Sequence, residues 1–144
     1  MKFKIISSGR KIADPSSSMV EDYLSRIKKF IPIDDIVVKP GQESKFTERI
    51  DKERDNYIIA LDERGKQFTS ADFSVKIDSW MNCGKKDVVF VIGPAEGLPE
   101  EVKKMADTLI SLSKMTLPHR FARMLLTEQI YRGFCILKNI PYHK

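Results

Sequence analysis

His119 and His143 are the only imidazoles in the chain, and both fall within residues 112–144. Histidine changes charge nearest neutral pH, so acid–base chemistry is looked for first in that stretch. His119 follows Pro118 and precedes Arg120 at an expected helix start. A histidine so placed serves more readily to hold a loop by one hydrogen bond than to act as a base. His143 stands between Tyr142 and Lys144, which puts an aromatic ring, an ionisable imidazole and a cation in a row. Such a row can stack on a base and meet a phosphate. Arg120, Arg123 and Arg132 can form a phosphate-contacting face. Equally, Glu128 and Arg132 are four apart and can be a simple helical pair worth about 0.2–0.5 kcal/mol. Gly93 and Gly97 bracket a turn that either lets backbone approach a ligand or only needs unusual dihedrals. That turn matches neither a Walker loop nor the dinucleotide fingerprint. No nucleophile–base pair or carboxylate pair stands out, and Cys83 and Cys135 are too few and unpatterned for a zinc site or disulfide framework. No metal is expected.

Charge points to the same stretch. Residues 112–144 hold six Lys/Arg and one Glu, so the whole formal net charge of +5 resides there, while the preceding 111 residues balance. A neutral domain that ends in a basic segment with aromatics suits a polyanionic partner. At 144 residues, with 42% hydrophobic and 31% charged content, the chain is expected to form a single domain over 1–144 with a real core. No apolar run approaches membrane-spanning length. The start, Met1 to Ile6, reads as a strand and not as a signal peptide. A cytoplasmic location with reduced thiols is expected.

The elements that must position these residues alternate. Strands are expected at Phe3–Ser7, Ile36–Val38, Tyr57–Leu61, Val88–Ile92 and Leu109–Leu112. Ser18 with Glu21 matches a capping box, and Met19, Tyr23, Ile27 and Phe30 recur at helical spacing. Phe46 and Ile50 hint at a short helix, and Asp62–Lys66 at a turn. Thr69 or Ser70 opens a helix bearing Phe73, Ile77, Trp80 and Met81, closed by Gly84. Pro99 suits the first turn of another. A long helix runs from Pro118 to about Leu137, with Phe121, Met124, Leu125, Ile130, Phe134 and Leu137 on its apolar side. Any exposed part of that side would suit a partner surface. The alternation predicts an α/β domain with a mostly parallel sheet flanked by helices. Ligands of such sheets bind beyond the carboxyl ends of strands. The loops after Leu61, Ile92 and Leu112 are therefore the candidate sites.

Five motifs occur in order: Leu61-Asp62-x-x-Gly65-Lys66, Phe90-Val91-Ile92-Gly93-x-x-x-Gly97-Leu98, Leu112 through His119, Glu128-Gln129-x-Tyr131-Arg132 and Pro141-Tyr142-His143. Together they strongly resemble the bacterial large-subunit rRNA pseudouridine N3-methyltransferases of the SPOUT class, over essentially the whole chain. The resemblance implies a SPOUT α/β fold with a C-terminal trefoil knot, a homodimer with active sites across its interface, and S-adenosylmethionine as cofactor. Carried over by motif, cofactor contacts fall on Leu61, Gly93, Leu112, Ser113, Lys114, Met115, Thr116 and Leu117. The implied substrate is a pseudouridine in large-subunit rRNA within the ribosome. His143 is assigned as base or orienting group, Tyr142 as a stacking ring, and Arg123 and Arg132 as electrostatic or phosphate contacts. Pro94 departs from the family pattern, where a second glycine is common, and removes an amide donor. Two other classes stay open: a non-catalytic rRNA-binding or assembly factor, and a SPOUT enzyme acting on a tRNA ribose.

Overall fold

The computed structural model describes residues 1–10 and 12–142. Its elements run β1 (Phe3–Ser8), α1 (Pro15–Ile27), β2 (Ile33–Val38), α2 (Glu43–Asp51), β3 (Tyr57–Lys66), α3 (Ser70–Met81), β4 (Val88–Ile92), α4 (Glu100–Met105), β5 (Thr108–Ile110) and α5 (His119–Leu137). The strands form one sheet in the order β2-β1-β4-β3-β5, and every pairing is parallel. Parallel strands need crossovers, and the helices that supply them cover both faces. The α/β class read from the sequence therefore holds. All five residues of β4 are buried, as an unbroken apolar strand at the centre of such a sheet must be.

Two cores result. On one face Phe3, Phe90, Ile77, Trp80, Leu126, Ile130 and Phe134 pack with Leu24 and Ile27 of α1. On the other, Ile6, Ile58, Val89 and Val91 meet Phe46 and Ile50 of α2 and Val102 of α4. Phe134 alone, 2% exposed, is the kind of side chain whose truncation costs about 3–5 kcal/mol. Gly133 lets α5 approach α3, because a Cβ there would collide with Ile77.

Several boundaries differ from the sequence expectation. The first helix starts at Pro15, capped by Asp14 and not by Ser18. The Asp14 carboxylate accepts from the Ser17 amide at 3.0 Å, and the Ser17 hydroxyl accepts from the Asp14 amide at 3.1 Å. The reciprocal partner is a serine in place of the usual Glu or Gln, which hides the box. The buried stripe is accordingly Val20, Leu24 and Ile27, with Met19 exposed. Residues 62–66 do not end the strand but continue it through a bulge. Leu61 and Lys66 both register against Ile110, so the residues between them swing out. Gly65 allows this, since a Cβ there would come within 2.6 Å of the Ile110 backbone. Strand β5 stops at Ile110, which frees Ser111 and Leu112 for the following loop. On α5, Phe121 and Leu125 face solvent at 51% and 38% exposure, and Leu126 fills the core.

Candidate active site

Three strand ends converge as the parallel sheet requires, and a cleft of about 650 Å³ opens beyond them. That volume lies within the range of about 300–1,000 Å³ typical of small-molecule sites. The bulged end of β3 contributes Leu61 to Arg64, the turn after β4 contributes Ile92 to Leu98, and the loop after β5 contributes Ser111 to Ser113 and Met115 to Leu117. His119 and Ala122, from the first turn of α5, close the floor. Of the eight residues expected to hold a cofactor, Leu61, Gly93, Leu112, Ser113, Met115, Thr116 and Leu117 line this one cleft. Lys114 is exposed and is not among its lining residues. A groove of similar volume between α2 and α4 contains none of the motif residues.

The loops hold themselves. After β4, the Pro94 carbonyl accepts from the Gly97 amide at 2.9 Å, and Gly97 takes φ +99°, a conformation that a side chain would strain. Pro94 is therefore used as an acceptor in the turn, and its missing donor costs the turn nothing. After β5, the Ser111 hydroxyl donates to the Ser113 carbonyl at 2.8 Å, and the Ser113 hydroxyl accepts from the Met115 amide at 2.9 Å. These side-chain bonds fix the loop backbone while its remaining N–H and C=O groups stay available.

The rim is charged. Asp62, Glu63, Glu96 and Glu100 line the cleft against Arg64 and Lys103, so carboxylates outnumber cations four to two. The Arg64 amide donates to Asp62 at 2.8 Å and Lys103 Nζ lies 3.3 Å from its other oxygen. The amide first, and then the ammonium, hold the Asp62 carboxyl below its ordinary range, keeping it ionised. Thr116 donates to Glu63 at 3.2 Å, tying the loop after β5 to the β3 bulge across the opening. His119 is wedged against Gly9, where a Cβ would come within 3.0 Å of the imidazole.

The residues expected to meet a nucleotide lie elsewhere. Arg123 donates to Asp35 of β2 through Nε at 3.1 Å and again through Nη2, with both side chains nearly buried. Arg120 pairs with Asp14. Arg132 donates through Nε to Glu128 at 2.8 Å, the helical pair that was one of two readings of these charges. All three arginines of the basic stretch thus have carboxylate partners within the chain. Tyr142 is folded in beside Arg132, whose guanidinium carbon lies 4.9 Å from the centre of its ring. His143 and Lys144 lie outside the described residues. From His119 to Arg132 the helix rises about 20 Å at 1.5 Å per residue, so the Tyr142 ring beside Arg132 stands more than three turns beyond the start of α5 that lines the cleft. Lys103, Asp35 and Tyr23 were not singled out from the sequence as site residues. Lys103 looks like any solvated helix lysine, and Tyr23 falls on an apolar stripe.

Among the described residues no group of three or more His, Cys, Asp or Glu could hold a metal ion, both cysteines are free, and no helix is long and apolar enough to cross a membrane.

With this geometry in hand, the comparisons are specific. Residues 1–143 match the family model described as a predicted SPOUT methyltransferase. The chain is 36% identical over 155 positions to the ribosomal RNA large subunit methyltransferase H of Methylobacillus flagellatus, covering 100% of this chain and 99% of that relative. It is 39% identical over 156 positions to the protein of that name from Chromobacterium violaceum, again covering 100% and 99%. Among solved structures, a probable methylase family protein from Haemophilus influenzae Rd KW20 superposes with a TM-score of 0.58 at 13% identity, covering 99% of this chain and 70% of that one. At that identity the likeness establishes the fold.

Proposed function

Because the chain belongs to the SPOUT methyltransferase family, and within it to the large-subunit ribosomal RNA methyltransferases, we propose that it methylates N3 of a pseudouridine in a large-subunit rRNA stem-loop, on the assembled ribosome, with S-adenosylmethionine as donor. The observation that carries this reading is the convergence of seven motif residues on one cleft beyond the parallel strands.

The residues present fit such a donor. Leu61, Ile92, Leu112 and Leu117 offer apolar walls for an adenine, and the loops after β4 and β5 offer backbone donors and acceptors. The excess of carboxylates on the rim favours a ligand with a net positive charge, and Lys103 is neutralised by Asp62. When bound, the cofactor supplies an electrophilic methyl group on a sulfonium. The chain must hold the acceptor nitrogen in line, a proximity effect worth up to about 7–11 kcal/mol. It must also lower the cost of removing the N3 proton, about 3–4 kcal/mol at pH 7 for a group titrating roughly two to three units higher. His143 is assigned as the base or orienting group, and Arg132, over the ring of Tyr142, as an electrostatic contact. Arg123, committed to Asp35, acts in this scheme by holding α5 on the sheet.

The rise of about 20 Å along α5 from His119 at the cleft to Arg132 beside Tyr142 supports a homodimer, in which one copy's chain end meets the other copy's cleft. The exposed Phe121 and Leu125, at the cleft end of α5, are the surface assigned to that contact. A knotted C-terminal half is part of the same proposal and rests on membership of the SPOUT family.

The test is transfer of labelled methyl from S-adenosylmethionine to purified ribosomes from a strain lacking the enzyme, with mass mapping of the product. Label on N3 of one pseudouridine is the expected result. Calorimetry showing no cofactor binding at millimolar concentration would sink the enzyme reading, and ribosome binding without transfer would give the assembly-factor reading instead.

A further inference from the structure

The last described residues are placed by a defined turn. Asn139 takes φ +54°, the Ile140 amide donates to the Cys135 carbonyl at 2.8 Å, and the Asn139 amide donates to the Ile136 carbonyl at 3.3 Å. This is a Schellman cap with asparagine in the left-handed position. It turns the chain back along α5 and brings the Tyr142 ring edge-on to Tyr131, with centroids 4.8 Å apart, and under the guanidinium of Arg132.

What fixes the ring is at its hydroxyl. Tyr142 donates to Glu128 Oε1 at 3.1 Å, and its oxygen lies 3.1 Å from the hydroxyl of Tyr23. Since the Tyr142 proton goes to Glu128, Tyr23 is the donor of the second bond. The same Glu128 oxygen also accepts from Arg132, so one carboxylate orients both the ring and the cation above it. Arg26 of α1 lies 5.5 Å from the ring centres of both Tyr23 and Tyr131, which steadies the far side. Burial, followed by the Tyr23 bond and the Glu128 charge, pushes the Tyr142 phenol well above its ordinary pKa, so it stays protonated and able to donate. A ring held by Arg132 over one face, by Tyr131 beside it and by two bonds at its hydroxyl is poorly placed to swing out under a nucleotide base. It is well placed to define where the next residue begins.

Accordingly, we propose that Tyr23 and Glu128 are positioning residues that dock Tyr142 as an anchor, and thereby set the point from which His143 is presented to the rRNA nucleotide. This rests on the proposed methyl transfer. Neither residue touches substrate in this scheme; both act through Tyr142.

Tyr23→Phe removes one hydroxyl and keeps the ring, and Glu128→Gln keeps the shape and removes the charge. Both are compared with wild type in two assays on the intact protein. Carboxypeptidase digestion followed by mass spectrometry reports release of Tyr142, and methylation of ribosomes reports kcat and KM. Tyr142 release should be faster in both variants. The kcat should fall about three- to tenfold for Tyr23→Phe and more for Glu128→Gln, whose bonds are charge-assisted. The KM for ribosomes and the calorimetric affinity for S-adenosylmethionine should stay within about twofold of wild type, since neither Tyr23 nor Glu128 lines the cleft. Release of Tyr142 at the wild-type rate in both variants overturns the anchor. Faster release with unchanged kcat overturns the positioning role. A wild-type protein that shows the protected Tyr142 but methylates no ribosome overturns the functional reading, and the presentation of His143 falls with it.

Discussion

Asp35→Ala tests what the buried arginine of the last helix does. Arg123 and Asp35 join α5 to the edge strand β2 through two hydrogen bonds, with side-chain exposures of 14% and 13%. Hydrogen bonds to charged groups contribute about 1.5–3 kcal/mol each, and removing one member of a fully buried pair costs about 3–5 kcal/mol. Here about one-seventh of each side chain remains wet, so water recovers part of the loss. The expected destabilisation is therefore about 2–4 kcal/mol. In a chain of this size each kcal/mol lowers Tm by about 2–4 °C, which gives a fall of about 4–16 °C. Urea unfolding at neutral pH measures the free energy directly, and the m value should not change. Replacing both residues, Asp35→Ala with Arg123→Leu, removes the stranded charge and should recover about 1–3 kcal/mol relative to the sum of the single changes. A loss below about 0.5 kcal/mol for Asp35→Ala, the range of an ordinary surface change, would refute the structural role. Arg123 would then be free for the nucleotide contact that its position in the sequence first suggests.

Three further outcomes follow from the same structure. The Ser16 hydroxyl, the Ser17 amide and then Arg120 hold the Asp14 carboxyl down to about 2. The unfolded chain takes up that proton first, near pH 4, so the stability contributed by Asp14 is full above pH 4 and is lost as pH falls toward 2. Asp14→Asn should make the fall of Tm across that window shallower, and parallel curves for the two proteins would count against the linkage. Gly97→Ala adds a methyl with nothing within 4 Å of it, so its cost is the backbone strain at φ +99°, about 1–2 kcal/mol. Calorimetry should show weaker S-adenosylmethionine binding as well, and unchanged affinity would mean that the turn does not shape the cleft. Phe121→Asp combined with Leu125→Asp should leave the fold intact, since both side chains are exposed, and shift sedimentation to the monomer. A dimer that survives both charges would exclude this face as the interface.

Legibility in the sequence followed how local each determinant is. β4 was readable to the residue, because five consecutive apolar side chains buried on both faces admit little else. Seven of the eight expected cofactor residues fall in one cleft because the parallel topology forces strand ends together, and motif order alone identifies those ends. What escaped depends on distant partners. Asp35 is 88 positions from Arg123, and Tyr23 is 119 from Tyr142. Nothing in the spacing of Arg120, Arg123 and Arg132 distinguishes a free basic face from three arginines each matched by a carboxylate. How the apolar side of α5 divides escaped for a similar reason: helical periodicity marks hydrophobic positions, but only tertiary packing decides that the sheet leaves Phe121 and Leu125 uncovered.

The aromatic contact between Phe3 and Phe134, 5.8 Å between ring centres, links the first strand of the chain to the last helix. Strand β1 sits between β2 and β4, so its second sheet partner is complete only at Ile92, and the last helix that covers Phe3 only near the end of synthesis. At about 5–20 residues per second, some 130 residues of synthesis separate the two rings by roughly 7 to 26 s. During that interval Phe3 and Ile5 can meet Val20, Leu24 and Ile27 of α1 but lack Leu126, Ile130 and Phe134 of α5, so their side of the core stays open. The nascent chain is thus a candidate for chaperone holding, and mutations in α5 should reduce soluble yield at high expression temperature more than their effect on the finished protein's stability would suggest.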